Sequence, residues 1–247
     1  AETDGVELAA AIEQPGLPVI GKDAGELAAV GHLGVAITDD LVAACDLFDV
    51  LVDFTIAPAT VQNIETCAAS GRKMIIGTTG LDDSEKNRLS ELSESMAVVM
   101  ATNFSVGVNA TFKLLEVAAE IFGNTVDVEI IEAHHRHKVD SPSGTALRLG
   151  EVVAKSAGLS LKENSIFHRE GNIAPRKAKE IGFSTIRAGD IVGDHTVLYA
   201  GDGERIELTH KAGSRTTFSK GAIKAAKFLK KQTHGLFDMF DVLNLKK

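Results

Sequence analysis

Phe48-Asp-Val-Leu-Val-Asp-Phe54 is a near-continuous apolar run, and together with the segments after it this run decides the fold class. A run of this kind reads as a strand buried on both faces, the habit of parallel sheets. Pro58 to Ser70 then reads as a helix, with proline near its start and Gly71 just past its end. Lys73-Met-Ile-Ile76 is the next strand and runs into Gly77-Thr78-Thr79-Gly80. Asp82-Asp83-Ser84 caps a polar helix to about Ser95. Met96-Ala-Val-Val-Met100 is another strand, ending in Ala101-Thr102-Asn103-Phe104. Val108 to Phe122 is a long amphipathic helix stopped by Gly123. Strands alternating with helices, over crossovers of about a dozen residues or more, predict a parallel sheet.

Toward the N-terminus, Val6 to Ile12 is an apolar run of strand length that ends at Glu13-Gln14-Pro15-Gly16. Asp23 to Ala29 suits a turn of helix and Gly34 to Ile37 a short strand. Asp39 to Cys45 suits a short helix with acidic caps. Toward the C-terminus the texture changes. Val126, Val128 and Ile130 alternate with Asp127 and Glu129, which predicts a strand. A helix is expected from Ser141 to about Ala157, then loop from Gly158 to Lys179. Three alternating runs come next, Phe183 to Arg187, Asp194 to Tyr199 and Glu204 to His210, separated by Gly-Asp turns. They predict an antiparallel meander. Phe218 to Lys231 reads as a helix with Ile223, Ala226 and Leu229 on one face and its lysines in solvent. The expected fold is therefore a parallel α/β domain followed by an α+β domain with a mostly antiparallel sheet.

Composition narrows the function. The 247 residues are 44% hydrophobic and 24% charged, as in an ordinary globular protein. A net charge of −8 argues against nucleic acid as a partner. Without Trp, and with Tyr199 its only Tyr, the chain is not built to stack on bases. No apolar run approaches the roughly 20 residues of a membrane helix. The opening Ala-Glu-Thr-Asp is not a secretory signal. Cys45 and Cys67, isolated among small apolar residues, read as reduced thiols of a cytoplasmic protein.

Chemistry concentrates in Glu132-Ala-His-His-Arg-His-Lys-Val-Asp-Ser-Pro-Ser-Gly-Thr-Ala146. His134, His135 and His137 are interleaved with Arg136 and Lys138 at a strand end, where histidines are expected at a mouth rather than in a core. A transition-metal site is disfavoured: the neighbouring cations oppose a dication, and no cysteine or carboxylate set completes a shell. Ser141 suits an N-cap, Pro142 the first helical residue, and Ser143-Gly144-Thr145 a first turn with free amides. The positive end of the helix dipole, a glycine that lets an anion approach, and the Thr145 hydroxyl together suit a carboxylate. A second carboxylate could meet His135 or Arg136. His134 and Lys138 are left as proton carriers near neutral pH. The implied substrate is a small dianion. Gly77 to Gly80 and Ala101 to Phe104 each follow a parallel strand, where open α/β sheets bind ligands, and small residues with exposed amides there would admit a flat one. Glu13 follows a strand-length run, as an acid that grips ribose hydroxyls does.

These residues resemble the signature of the dihydrodipicolinate (4-hydroxy-tetrahydrodipicolinate) reductase family of lysine and diaminopimelate biosynthesis. The resemblance extends over Asp53-Phe-Thr55, Gly77 to Gly80, Asn103 to Asn109, Arg187 to Gly193, Thr209 to Ala212 and Gly235 to Met239. It implies reduction of an unsaturated cyclic dicarboxylate by NADH or NADPH. It implies His134 as general acid/base and Lys138 as proton donor, with His135, Gly144 and Thr145 holding the carboxylates. Gly77, Thr78, Thr79, Ala101, Thr102, Asn103 and Phe104 would line the nicotinamide end, and Glu13 the adenosine ribose. It further implies a Rossmann-like domain from residues 1–105 and 216–247, and a substrate-binding domain, 106–215, whose sheet assembles a homotetramer. The family opens with a strand and a glycine-rich turn that cradles pyrophosphate. The present sequence begins beyond that turn, so it is expected either to be a fragment or to have lost it. In the latter case a non-catalytic dicarboxylate-binding or assembly module is the alternative. Gln14 and Ile56 stand where the family often has arginines for a 2′-phosphate, so no strong preference for NADPH is expected.

Overall fold

The computed structural model describes residues 3–246, so residues 1, 2 and 247 lie outside the description. The chain divides into two compact units. One comprises the residues up to Thr102 together with those from Gly221 on, and the other is Asn103–Lys220.

The first unit begins with β1 (Ala11–Ile12), α1 (Ala24–Leu27), β2 (Ile37–Thr38) and α2 (Leu41–Ala44). The strand expected over Val6 to Ile12 shrinks to two residues. Its parallel partner β2 is itself only two residues long, and Val6 and Leu8 are exposed. β2 in turn sits later than Gly34 to Ile37, because Ala36 bridges to Asp23 instead. Asp23 and Asp40 cap the two short helices as their positions predict.

Next come β3 (Val50–Asp53), α3 (Ala57–Ala69), β4 (Lys73–Ile76), α4 (Asp83–Leu92) and β5 (Ala97–Met100). Proline in the first turn of α3 and a capping box of Asp82 with Glu85 on α4 set the helix starts. All pairings of this sheet are parallel. Ile64 and Cys67 of α3 and Leu89 of α4 pack on Met74, Ile76 and Val98 in one core cluster. Burying each large side chain of this kind stabilises the unit by about 1.5–3 kcal/mol. Cys45 and Cys67 are both buried free thiols, and burial pushes Cys67 up to about 12. β3 is an edge strand among the described residues, and Val52 is 46% exposed. It is therefore not buried on both faces as its apolar run suggests.

The second unit contains α5 (Val106–Phe122), β6 (Asp127–His134), α6 (Gly144–Ser156), α7 (Leu161–Asn164), β7 (Ser165–Ile166), β8 (Ile181–Arg187), β9 (Gly193–Ala200) and β10 (Arg205–Ala212). Its sheet order is β10-β9-β6-β8-β7. The antiparallel meander holds only for β9 with β10. β8 does not pair with β9; it lies parallel to β6, which pairs antiparallel to β9 on its other side. The Gly189-Asp190 turn is thus no hairpin. Its neighbour Ala188 donates to His134 O, and Gly189 O accepts from Arg136, so the turn continues the β6–β8 pairing. The sheet is mixed: its longest ladder, β9 with β10, is antiparallel, and the parallel β6–β8 ladder is as long as the antiparallel β6–β9 one. The polar stretch expected as loop includes α7 and β7, pinned by Arg176 to Asp127, Glu129 and the Glu180 carbonyl.

One face of this sheet is covered by α5 and α6. Val108, Phe112, Leu115 and Ala119 recur at helical spacing on α5 and are buried. Tyr199 on β9 stacks on Phe122 and donates to Leu115 O. Gly150 lets α6 lie close to β8, for a Cβ there would sit 2.6 Å from the Phe183 ring. α8 (Thr216–Leu229) then returns the chain to the first unit, followed by β11 (Gly235–Phe237) and α9 (Met239–Val242). β11 completes the order β11-β5-β4-β3. The buried row of α8 is Ala222, Ala225 and Leu229 rather than Ile223 and Ala226, while its lysines are exposed as expected.

Candidate active site

β6 builds the site. Its alternation buries Val128, Ile130, Glu132 and His134 on one face. The first two are ordinary core. The last two carry charge or protons, so the buried row ends in chemistry. His134 is only 8% exposed, which corrects the expectation of a mouth position: β6 extends to His134 and its alternation carries this histidine inward. His135 is half-buried, while Arg136 and His137 are exposed.

Glu132 is 1% exposed and accepts four hydrogen bonds. Arg187 of β8 donates to both oxygens, at 2.8 and 2.9 Å. His134 Nδ1 lies 2.5 Å from Oε2, and the Ser143 amide donates to Oε1 at 3.0 Å. Leaving such a carboxylate unpaired would cost several kcal/mol, so this partnership is a condition of folding. Burial alone would raise its pKa. The bonds from Arg187, His134 and the Ser143 amide outweigh burial and hold the carboxyl below its ordinary value.

The same carboxylate moves the start of α6. The N-cap is Ser143, not Ser141, and Pro142 lies outside the helix behind a cis peptide bond. Glu132 claims the Ser143 amide, while Ser143 Oγ accepts from Ala146 N at 3.2 Å. The remaining first-turn amides belong to Gly144, which already helps hold the Asp140 carboxyl below its ordinary value, and to Thr145. Gly144 is exposed, and a Cβ there would meet nothing within 4 Å, so packing makes no demand for glycine. Thr145 Oγ1 accepts from Asn103 at 3.2 Å, which leaves its own hydroxyl proton to donate. A 13-residue helix that opens on two such residues suits an anion.

His195 of β9 completes the cluster. It is 5% exposed, its Nε2 lies 3.1 Å from Ser143 Oγ, and its ring meets His134 edge-on at 5.1 Å. Burial first, and then the neighbouring His134, depress its pKa to about 4, so it is neutral at neutral pH. His135 is also depressed, by desolvation and then by Arg215 and its cationic neighbours, and an arriving carboxylate would reverse that. Lys138 Nζ is 2.8 Å from Asp140, whose carbonyl also accepts from Arg187. No group of three His, Cys, Asp or Glu is placed to hold a metal among the described residues.

Sequence reasoning assigns no role to Arg187 or His195. A weak signal existed. His195 is in phase with the buried Val197 and Tyr199, as Glu132 is with Ile130, and a polar residue in a buried row needs a partner.

In the first unit, Gly77 to Thr79 follow β4, and Ala101 and Thr102 follow β5. The two strands are parallel neighbours with Ile76 opposite Met100, so both loops leave the same sheet edge. Their amides are less free than expected: Gly77 donates to Asp53 O and Ala101 to Ile76 O. Thr78 is 5% exposed and donates to the buried Asp53 carboxylate, which also accepts from Thr55 and Asn63. Thr79 and Thr102 are exposed. Glu13 is exposed just past β1, and its carboxylate accepts from the Gln14 amide. Asn103 and Phe104 belong to the second unit, and Phe104 is 1% exposed.

Comparison with known proteins accords with this geometry. The family model described as dihydrodipicolinate reductase, N-terminus, matches residues 1–104. The one described as dihydrodipicolinate reductase, C-terminus, matches residues 107–243. Among solved structures, a dipicolinate-bound dihydrodipicolinate reductase from Paenisporosarcina sp. TG-14 shares 23% identity and a TM-score of 0.75, over 97% of this chain and 90% of that one. An amine dehydrogenase from Mycobacterium smegmatis shares 15% identity and a TM-score of 0.56, over 94% and 87%. A putative myo-inositol dehydrogenase from Sinorhizobium meliloti 1021 shares 12% identity and a TM-score of 0.56, over 93% and 83%. At such identities these structures speak for the fold, whereas the two family models together span nearly the whole sequence. The chain belongs to the dihydrodipicolinate reductase family.

Proposed function

We propose that this protein reduces 4-hydroxy-tetrahydrodipicolinate to tetrahydrodipicolinate with NADH or NADPH, the 4-hydroxyl leaving as water, in lysine and diaminopimelate biosynthesis. One observation carries the reading: in a chain of this family, a buried histidine at the end of β6 is joined through Glu132 to the anion-suited start of α6. Gly144, Thr145 and His135 bind the two carboxylates, the first two through the helix start and the last through its ring. His134 and Lys138 handle protons. Gly77, Thr79, Ala101 and Thr102 are small residues at one edge of a parallel sheet, which fits a flat nicotinamide, and Glu13 has an exposed carboxylate for ribose. Thr78 contributes through its bond to Asp53, which braces the loop, and Asn103 through its bond to Thr145. Phe104, next to Asn103 in the chain, is buried in the core. When bound, the reduced cofactor supplies a hydride. The reading includes a cytoplasmic homotetramer, as the family resemblance implies. No helix among the described residues is long and apolar enough to cross a membrane.

The test is a reduction assay on the full-length enzyme with freshly formed substrate and each cofactor in turn. Turnover with both is expected, at an NADPH/NADH ratio of kcat/KM below about ten. A ratio well above that, a gap of roughly 1.4 kcal/mol or more, would overturn the reading of Gln14 and Ile56. No turnover with either cofactor would overturn the function. Thr145→Val tests the carboxylate site. Loss of a hydroxyl that donates to a charged group is expected to raise KM about tenfold, with kcat little changed. An unchanged KM removes Thr145 from the site.

A further inference from the structure

Glu132 moves no proton in the proposed reaction, yet it touches both halves of the site. Arg187 and a backbone amide can only donate, and they occupy both of its oxygens. The carboxylate is therefore ionised and acts purely as an acceptor, so His134 Nδ1, 2.5 Å away, has to carry the proton of that bond. Nε2 is left as the nitrogen that exchanges protons. Gly193 keeps its surroundings open, because a Cβ there would lie 3.0 Å from Nε2. The other oxygen of Glu132 holds the N-cap amide of α6.

We propose that Glu132, clamped by Arg187, is a positioning residue. It fixes His134 as the Nδ1–H tautomer and locks that ring to the helix start that binds the substrate carboxylate. The proposal rests on the reading of His134 as a proton carrier. An ion pair that served only to stabilise the fold would not care which nitrogen of His134 is protonated.

Glu132→Gln separates the two roles. The amide oxygen, in the place of Oε1, can still accept from Ser143 N and Arg187 Nη2; the amide nitrogen, in the place of Oε2, gives up the Arg187 Nη1 bond and can only donate toward Nδ1. His134 then has to put its proton on Nε2. Nitrogen NMR of protein labelled at histidine, with His134→Asn to assign the signal, is expected to report Nδ1–H in the wild type and Nε2–H in Glu132→Gln. In parallel, kcat is expected to fall by about 10²-fold or more while KM for the dicarboxylate stays within about threefold. An Nε2–H wild type, an unchanged tautomer in the variant, or a changed tautomer with unchanged kcat each overturns the proposal. Should Glu132→Gln not fold, Glu132→Asp keeps the charge and shortens the reach, and it is expected to lower kcat in the same way; an unaltered kcat overturns the proposal. A wild-type Nδ1–H signal without any turnover overturns the reductase reading while upholding the control of the tautomer by Glu132.

Discussion

Lys138→Ala is expected to lower kcat by about 10²- to 10⁴-fold while KM for the dicarboxylate moves by less than about threefold. Adding a hydride to an unsaturated ring leaves an electron pair that a proton must meet, and the proposed donor is the Lys138 ammonium. That contribution exists only in the transition state, so its loss falls on kcat. The fold should hardly notice. Lys138 pairs with Asp140, whose side chain is 53% exposed, and pairs of that kind contribute about 0–1 kcal/mol. A small primary amine added to the assay should restore part of the rate, since it offers the missing ammonium without the tether. Stopped-flow or steady-state kinetics at matched stability decide the matter. Wild-type kcat in the variant would remove Lys138 from the mechanism.

Much of the fold can be read from the chain because its signals are local. Proline at the start of α3, the Asp82 capping box and the glycine after α5 all act within one turn of the residues they stop or start. Pairing order is not local. The run Phe183 to Arg187 has the same alternation whether it pairs with the next strand or with β6, far earlier in the chain, and nothing in its own side chains chooses. β3 makes the same point. An apolar run predicts burial on both faces, but burial is conferred by what packs on each face, and Val52 is 46% exposed. The return of the chain to the first unit within α8 is equally silent in composition; only the resemblance suggested it.

The site was legible as a set of chemical groups and illegible as a network. Histidines, lysine and a helix start within one short stretch announce themselves. Their arrangement depends on Arg187 and His195, which come from two other strands. The misplaced helix start has the same cause. By local rules Ser141-Pro142 is a good cap and first residue, and Ser143 is merely another cap candidate. A buried carboxylate eleven residues upstream needs the Ser143 amide, and that need outweighs the local preference. Glycine positions carry the converse lesson. Gly144 is required neither by packing nor by a left-handed backbone, which is compatible with the proposed approach of a carboxylate.

His134→Asn should be the more damaging change to chemistry and the milder one to structure than any other at this residue. The asparagine amide nitrogen can take the place of Nδ1 and keep donating to Glu132, so the buried carboxylate retains its four partners. Stability should fall by less than about 1 kcal/mol, a Tm change of roughly 2–4 °C at most for a chain of this size. What the amide cannot do is exchange a proton near neutral pH, and the expected loss in kcat is about 10²- to 10⁴-fold. His134→Ala serves as the control. It strips one donor from Glu132 and should cost about 1–3 kcal/mol more, through the unsatisfied buried acceptor. Calorimetric titration with pyridine-2,6-dicarboxylate should find near-wild-type affinity in the Asn variant, since Gly144 and Thr145 are untouched. Binding retained with catalysis lost identifies His134 as a proton carrier. A kcat within about threefold of wild type would mean that the buried end of β6 holds the site together without taking part in the reaction.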